Sequence, residues 1–401
     1  MSYQKQPIEN RKKTKKQPKK SLKFFKLSKI PHVDRNLLIV VLILSLFGVI
    51  AIFSASAAEG ITHYENPLYF PIKHLQFAIF GFIAMFLTSR IHYSHWKKWA
   101  LPVSIATIIL IAATLIPGLG RTNYGSSRWL TFLPIQPSEF GKFACILLLS
   151  SALYNAKNIM ESQVLKHFAL VGIMMLIILK QPNMSIFLLL FITTLAMLTA
   201  AGMQLRIFIG CALAAAPVFL YMIMSTPYQQ KRVMGWLNPF SDPQGIGYNI
   251  IQSWYAISSG GLFGAGIGNS KQKLYYLPFG HTDFIFSVIA EELGFVGITV
   301  LVTLFVLFIT FGFRVAQRCE DQFGKLLAFG ITFIIGVQAF INMCVASGVF
   351  PVTGVTLPLI SYGGSSFIIT TAMIGVLLNI SRYPVKKERK SENVKKQQPQ
   401  A

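Results

Sequence analysis

The chain has 401 residues, 53% of them hydrophobic, and a mean hydropathy of +0.54; so apolar a composition excludes a soluble domain and points to a multi-spanning membrane protein. Of the formal charge of +23, +15 sits at the two ends: residues 1–35 hold twelve Lys/Arg against Glu9 and Asp34, and residues 382–401 hold seven against Glu388 and Glu392. With no stacking-aromatic or groove-reading module beside it, that charge argues against nucleic acid as a partner and for attraction to anionic membrane lipids.

In chain order, residues 1–35 form a Lys-, Gln- and Pro-rich cytoplasmic tail expected to be disordered. Residues 36–382 then carry apolar runs at 37–57, 70–89, 99–117, 138–156, 166–180, 184–203, 206–226, 283–312, 326–348 and 357–380, and 383–401 form a second basic tail. The expected fold is an all-α integral membrane protein, a polytopic bundle of about ten transmembrane helices. The first run is longer than a signal-peptide core, so it reads as a retained span. An even number of spans places both termini on one side. The loops after even-numbered spans hold Arg90, Lys97, Lys98, Lys157, Lys166, Arg206, Arg314, Arg318 and Lys325, and that bias makes the side cytoplasmic.

The opposite face then carries 58–69, 118–137, 181–183, 227–282 and 349–356. The loop 227–282, between spans seven and eight, far exceeds an ordinary connection of about 4–6 residues. Its aromatics argue against disorder, and 248–258 reads as an amphipathic piece lying in the membrane interface. Cys145, Cys211, Cys319 and Cys344 show no metal or redox spacing and read as small buried hydrophobes.

Four acidic residues fall in apolar spans or at their rims: Glu139, Asp283, Glu291 and Glu292. Ionisable groups at such depth are costly, so each is a candidate for function or for structural pairing. Lys142 lies one turn beyond Glu139 on the same face, which favours pairing there. Asp283 opens the eighth span, beside His281 and Thr282, where a wet loop bearing Lys271 and Lys273 meets the membrane. It is either a helix cap or a lone base, with Ser287 and Glu291 following on the same face. Outer cations, among them Arg121, Arg128, Lys231, Arg232, Lys271 and Lys273, could hold phosphate. The glycines of residues 260–268 do not fit a dinucleotide site and read as close-packing positions. No three-ligand metal constellation is present, so no cofactor is indicated, a divalent cation included.

The strings RW (128–129), QPSE (136–139) with Lys142, QPN (181–183), GYNIIQSWYAISSGGLFGAGIG (247–268), SKQKLYYLP (270–278), HTDFIFSVIAEELGFVG (281–297) and PVTGVTLPLISYGGSS (351–366) together resemble the SEDS family of shape, elongation, division and sporulation proteins. The run at 270–278 is more similar to the FtsW branch than to the RodA branch. The resemblance implies an inverting peptidoglycan glycosyltransferase that polymerises lipid II, works with a class B penicillin-binding transpeptidase and other division proteins, and sits in a cell membrane or in a plastid membrane of bacterial descent. It implies Asp283 as the catalytic residue, and Arg128, Trp129, Glu139 and Lys142 as site residues. Against them, His281, Thr282, Ser287, Glu291, Lys271 and Lys273 are the further candidates for binding substrate. Asn183 stands where the family pattern has an acid, which weakens a cation-binding role there. Three alternatives stay open: a lipid II transporter whose cavity is lined by Glu139, Lys142, Glu291 and Glu292, a RodA-like elongation polymerase, and a division-site scaffold without catalysis in which Asp283 is only a helix cap.

Overall fold

The computed structural model describes residues 32–123, 126–131, 135–156, 161–202, 227–273 and 276–383, with isolated residues between 203 and 226. Most of the seventh expected span, Cys211 and most of both basic tails lie outside the described residues. The helices are α1 (Arg35–Tyr64), α2 (Tyr69–Arg90), α3 (Tyr93–Ala113), α4 (Pro137–Leu153), α5 (Ser162–Lys180), α6 (Met184–Ala200), α7 (Pro227–Leu237), α8 (Tyr248–Ser259), α9 (Ile285–Arg318), α10 (Gln322–Ala346) and α11 (Gly364–Ile380). Among the described residues, α1, α2, α3, α9 and α10 are long and apolar enough to cross a membrane, and α6 and α11 are shorter apolar helices.

Local chemistry explains several boundaries. The Asp34 carboxylate accepts from Leu37 N at the start of α1, and Asp321 accepts from Gly324 N at the start of α10. Pro137 opens α4, where its missing N–H costs nothing. α1 runs on to Tyr64, past the expected end at 57, so Glu59 is helical. α3 begins before its apolar run, at Tyr93, where the His92 side chain accepts from Ser94 N, and Lys97 within its first turns places its ammonium over the Tyr154 ring, 3.4 Å from the centroid. A departure from the all-α expectation is a small antiparallel hairpin, β1 (Gly120–Asn123) with β2 (Ser126–Leu130), in which Arg121 faces Trp129.

α10 is the most enclosed long helix, and α4, α6, α9 and α11 pack around it. α2 and α11 form the tightest helix pair. A Cβ at Gly375 would collide with the Met85 carbonyl and the Thr88 hydroxyl, and Thr88 Oγ1 donates across to the Ala372 carbonyl at 2.9 Å. Farther along, Asn379 Nδ2 donates to the Ser89 carbonyl at 2.8 Å.

α9 is broken at Gly294 (φ 65°, ψ −162°). The groups freed by the break are not left empty. Phe295 N donates to the Gly261 carbonyl and Val296 N to that of Leu262, while Ala265 N and Gly266 N donate to the carbonyls of Glu291 and Glu292. Irregular backbone at this depth requires such cover, and it explains the glycine run: a side chain at Gly264 would run into the Glu292 carbonyl.

Candidate active site

Asp283 lies in a turn two residues ahead of α9. The N-cap of α9 is Phe284, and no side chain caps the helix. The expectation that Asp283 opens the helix is thereby corrected, and with it the capping role. Among the described residues its carboxylate has no hydrogen bond and no ion pair within 4 Å; it lines a cavity of about 900 Å³. Burial pushes its pKa above the ordinary carboxylate range, against the opposing pull of Arg232, Arg128 and His281.

Two arginines are aimed into the same cavity by backbone anchors. Arg128, on β2, donates through Nη2 to the Pro182 carbonyl at 2.6 Å, and among the described residues its buried Nε has no partner. Arg232, on α7, donates through Nη1 to the Val352 carbonyl at 3.0 Å, and its guanidinium stacks over Tyr228 and donates to its hydroxyl. A Cβ at Gly354 would stand 3.5 Å from Asp283 Oδ2 and 3.9 Å from both terminal nitrogens of Arg232, so carboxylate and guanidinium border one spot without pairing. Lys73 and Lys231 add two more cations to the lining. Such a site joins an unengaged base to several anion-binding groups.

Residues 34–386 match the model of the cell cycle protein family that groups FtsW, RodA and SpoVE. The chain belongs to this family. It is 40% identical over 359 residues, 88% of this chain and 94% of the relative, to a probable peptidoglycan glycosyltransferase FtsW of Trichlorobacter lovleyi. It is 39% identical to stage V sporulation protein E of Bacillus subtilis, over 87% of this chain and 97% of that one. A chain in a solved peptidoglycan synthase complex, described as coordinating polymerization and crosslinking, matches with TM-score 0.72 at 30% identity, covering 87% of this chain and 98% of that one. Rod shape determining protein RodA of Thermus thermophilus matches with TM-score 0.65 at 25% identity, covering 88% and 98%.

Within this FtsW/RodA/SpoVE fold, the sequence-derived candidates divide into two groups. Arg128, Trp129, Glu139, Thr282 and Asp283 line the cavity together. Lys142 lies behind it, fully buried, 2.5 Å from Glu139 Oε2 and donating to Gln338 Oε1 at 2.8 Å. Gln338 Nε2 donates in turn to the Thr356 carbonyl at 2.9 Å, so the pair is tied to the cavity wall. Asn183 also lines the cavity; its Nδ2 donates to Ser138 Oγ, and its Oδ1 accepts from Ile186 N at the start of α6.

The remaining candidates lie outside the lining, each with its own partners. Glu291 accepts from Ser270 Oγ at 2.5 Å and from Lys271 N at 2.8 Å. Lys273 Nζ pairs with Glu292 Oε1 at 2.7 Å and donates to Ser54 Oγ at 2.9 Å. These contacts bind the 260–273 loop onto α9 and α1. Ser287 Oγ shares a hydrogen bond with Ser253 Oγ of α8 at 2.6 Å. His281 Nδ1 stands 2.8 Å from Glu59 Oε2, with its ring against Phe70 and Tyr362. Of the four groups expected to line a transport path, only Glu139 faces the cavity.

Two residues were not among the sequence-derived candidates. Lys73, a lone cation within an apolar run and so a signal as strong as a buried carboxylate, lines the cavity. Glu59, just past the expected end of the first span, lies outside the lining and pairs with His281.

Proposed function

We propose that the chain is a peptidoglycan glycosyltransferase that polymerises lipid II during septal wall synthesis, with Asp283 as general base. The carboxylate takes the proton from the sugar 4-hydroxyl of the acceptor lipid II. The hydroxyl oxygen bonds to the anomeric carbon of the growing strand, and the bond from that carbon to undecaprenyl pyrophosphate breaks with inversion. Arg128 and Arg232, with Lys73 and Lys231 nearby, stabilise the charge gathering on the departing pyrophosphate. The observation that carries this reading is the Asp283 carboxylate, unpaired in the cavity although two arginines flank it; a structural carboxylate would be bonded to them.

The names of the FtsW and sporulation relatives favour a septal role over RodA-like elongation. The description of the matched synthase complex supports a transpeptidase partner, read here as a class B penicillin-binding protein. The setting is the cell membrane, with both termini cytoplasmic. The test is purified protein with its transpeptidase partner and lipid II. Glycan strands from the parent and none from folded Asp283→Asn support the reading. Polymerisation by Asp283→Asn at the parent rate, or lipid flipping without polymer, overturns it.

A further inference from the structure

Three consecutive carbonyls of the Asp283 turn are gripped from behind. Tyr362 N donates to the His281 carbonyl at 3.0 Å, and Ser361 Oγ to that of Thr282 at 2.6 Å. Asn342, buried on α10, donates through Nδ2 to the Asp283 carbonyl at 2.8 Å and to the Val355 carbonyl at 2.7 Å. Both contacts of that nitrogen are acceptors, so the amide has one workable orientation. Its Oδ1 is left buried without a partner among the described residues. A leucine of similar size would avoid that orphaned acceptor, so packing alone does not account for an asparagine here.

The second acceptor shows what the amide accomplishes. Val355 lies three residues from Val352, whose carbonyl anchors Arg232. Base and cation are therefore mounted on one strap, residues 352–355, the base through Asn342 and the cation directly. We infer that Asn342 is a positioning residue for Asp283, its amide joining the Asp283 turn to the strap that holds Arg232 and so fixing carboxylate and guanidinium in one frame. The inference rests on the reading of Asp283 as base. It places no demand on substrate affinity, because Asn342 itself is absent from the cavity lining.

The test uses the full chain with its transpeptidase partner, assayed on lipid II. Asn342→Leu removes both donors at nearly constant volume; the expected result is a fall in kcat of about 10- to 100-fold, the scale of a misplaced reacting group, with KM within about twofold of the parent. Asn342→Gln, which keeps the amide, recovers part of the loss. A folded Asn342→Leu protein with parental kcat overturns the inference, as does a loss confined to KM. If Asn342→Leu does not fold, Ser361→Ala decides, since it releases the neighbouring carbonyl: a kcat loss at constant KM supports the shared frame, and parental kcat overturns it. Failure of the base assignment is a separate result, an Asp283→Asn protein that polymerises normally.

Discussion

Replacing Lys142 with methionine tests what holds Glu139 at the edge of the cavity. The substitution keeps the aliphatic stem and removes an ammonium that is fully buried, 2.5 Å from Glu139 Oε2 and 2.8 Å from Gln338 Oε1. Glu139, only 5% exposed, is then a buried carboxylate with no cation, a change that costs about 3–5 kcal/mol. Gln338 also loses its donor, but the two losses share one network and do not add. Thermal or denaturant unfolding in lipid nanodiscs should show Lys142→Met destabilised by about 3 kcal/mol or more. Glu139→Gln/Lys142→Met, with neither charge, should recover at least about half of that. A single variant within about 1 kcal/mol of the parent, or a double variant no better than the single one, would refute the argument from the buried pair. Lipid II binding measured on the same proteins separates Glu139's support of the fold from contact with substrate.

Other expectations follow from the same structure. Because burial raises the pKa of Asp283, a base there loses activity on acidification at a higher pH than an ordinary carboxylate. Arg232 holds that pKa down, so in Arg232→Gln the acid limb of residual kcat/KM should move to higher pH; an unmoved or lowered limb would contradict the assignment. A carboxyl whose folded pKa is raised favours the folded state below its unfolded pKa and loses that contribution as pH rises through the folded one. Asp283→Asn should therefore melt above the parent near neutrality, with the gap closing in acid, as differential scanning can show. Gly264→Ala should lower stability by about 1–3 kcal/mol or more, since φ is +81° and the new methyl meets the Glu292 carbonyl. Gly172→Ala, in helix α5 with open space around it, should be neutral or gain up to about 1 kcal/mol; equal effects at the two sites would sink the close-packing account.

Much of the fold was legible because long apolar runs leave few alternatives in a bilayer. Boundaries slipped where charge entered a helix, as with Glu59 in α1 and Lys97 and Lys98 in α3. The hairpin at 120–130 was invisible, since its short polar strands carry no alternating apolar face. Asp283 could be singled out as a carboxylate at a rim, and the match of its motif to a known family assigned it a role. What could not be read was which of the neighbouring charges share its cavity. Glu291, Lys271 and Lys273 look like site residues in one dimension, yet the Glu291 carboxylate accepts from Ser270 Oγ and Lys271 N and Lys273 pairs with Glu292, so all three fasten the 260–273 loop onto α9. The break at Gly294 beside that loop depends on tertiary hydrogen bonds which no local pattern announces. Arg232 sits 51 positions before Asp283 in the chain, and only the strap at 352–355 brings the two together.

The close seating of α2 on α11 bears on how the lipid II proposed as substrate would enter. With backbones this near and rungs at Thr88 and Asn379, the two helices behave as a single rigid plank, and they supply Lys73, Gln76, Phe77 and the 364–366 stretch to one wall. α7 is held by hydrogen bonds from Arg232 Nη1 to the Val352 carbonyl and from Trp236 Nε1 to the Gly348 carbonyl, and dilation of the chamber is expected on this side. Covalently stapling α2 to α11 should leave turnover almost unchanged, while stapling α7 to the strap should slow it; the reverse outcome would mean the plank itself is the door.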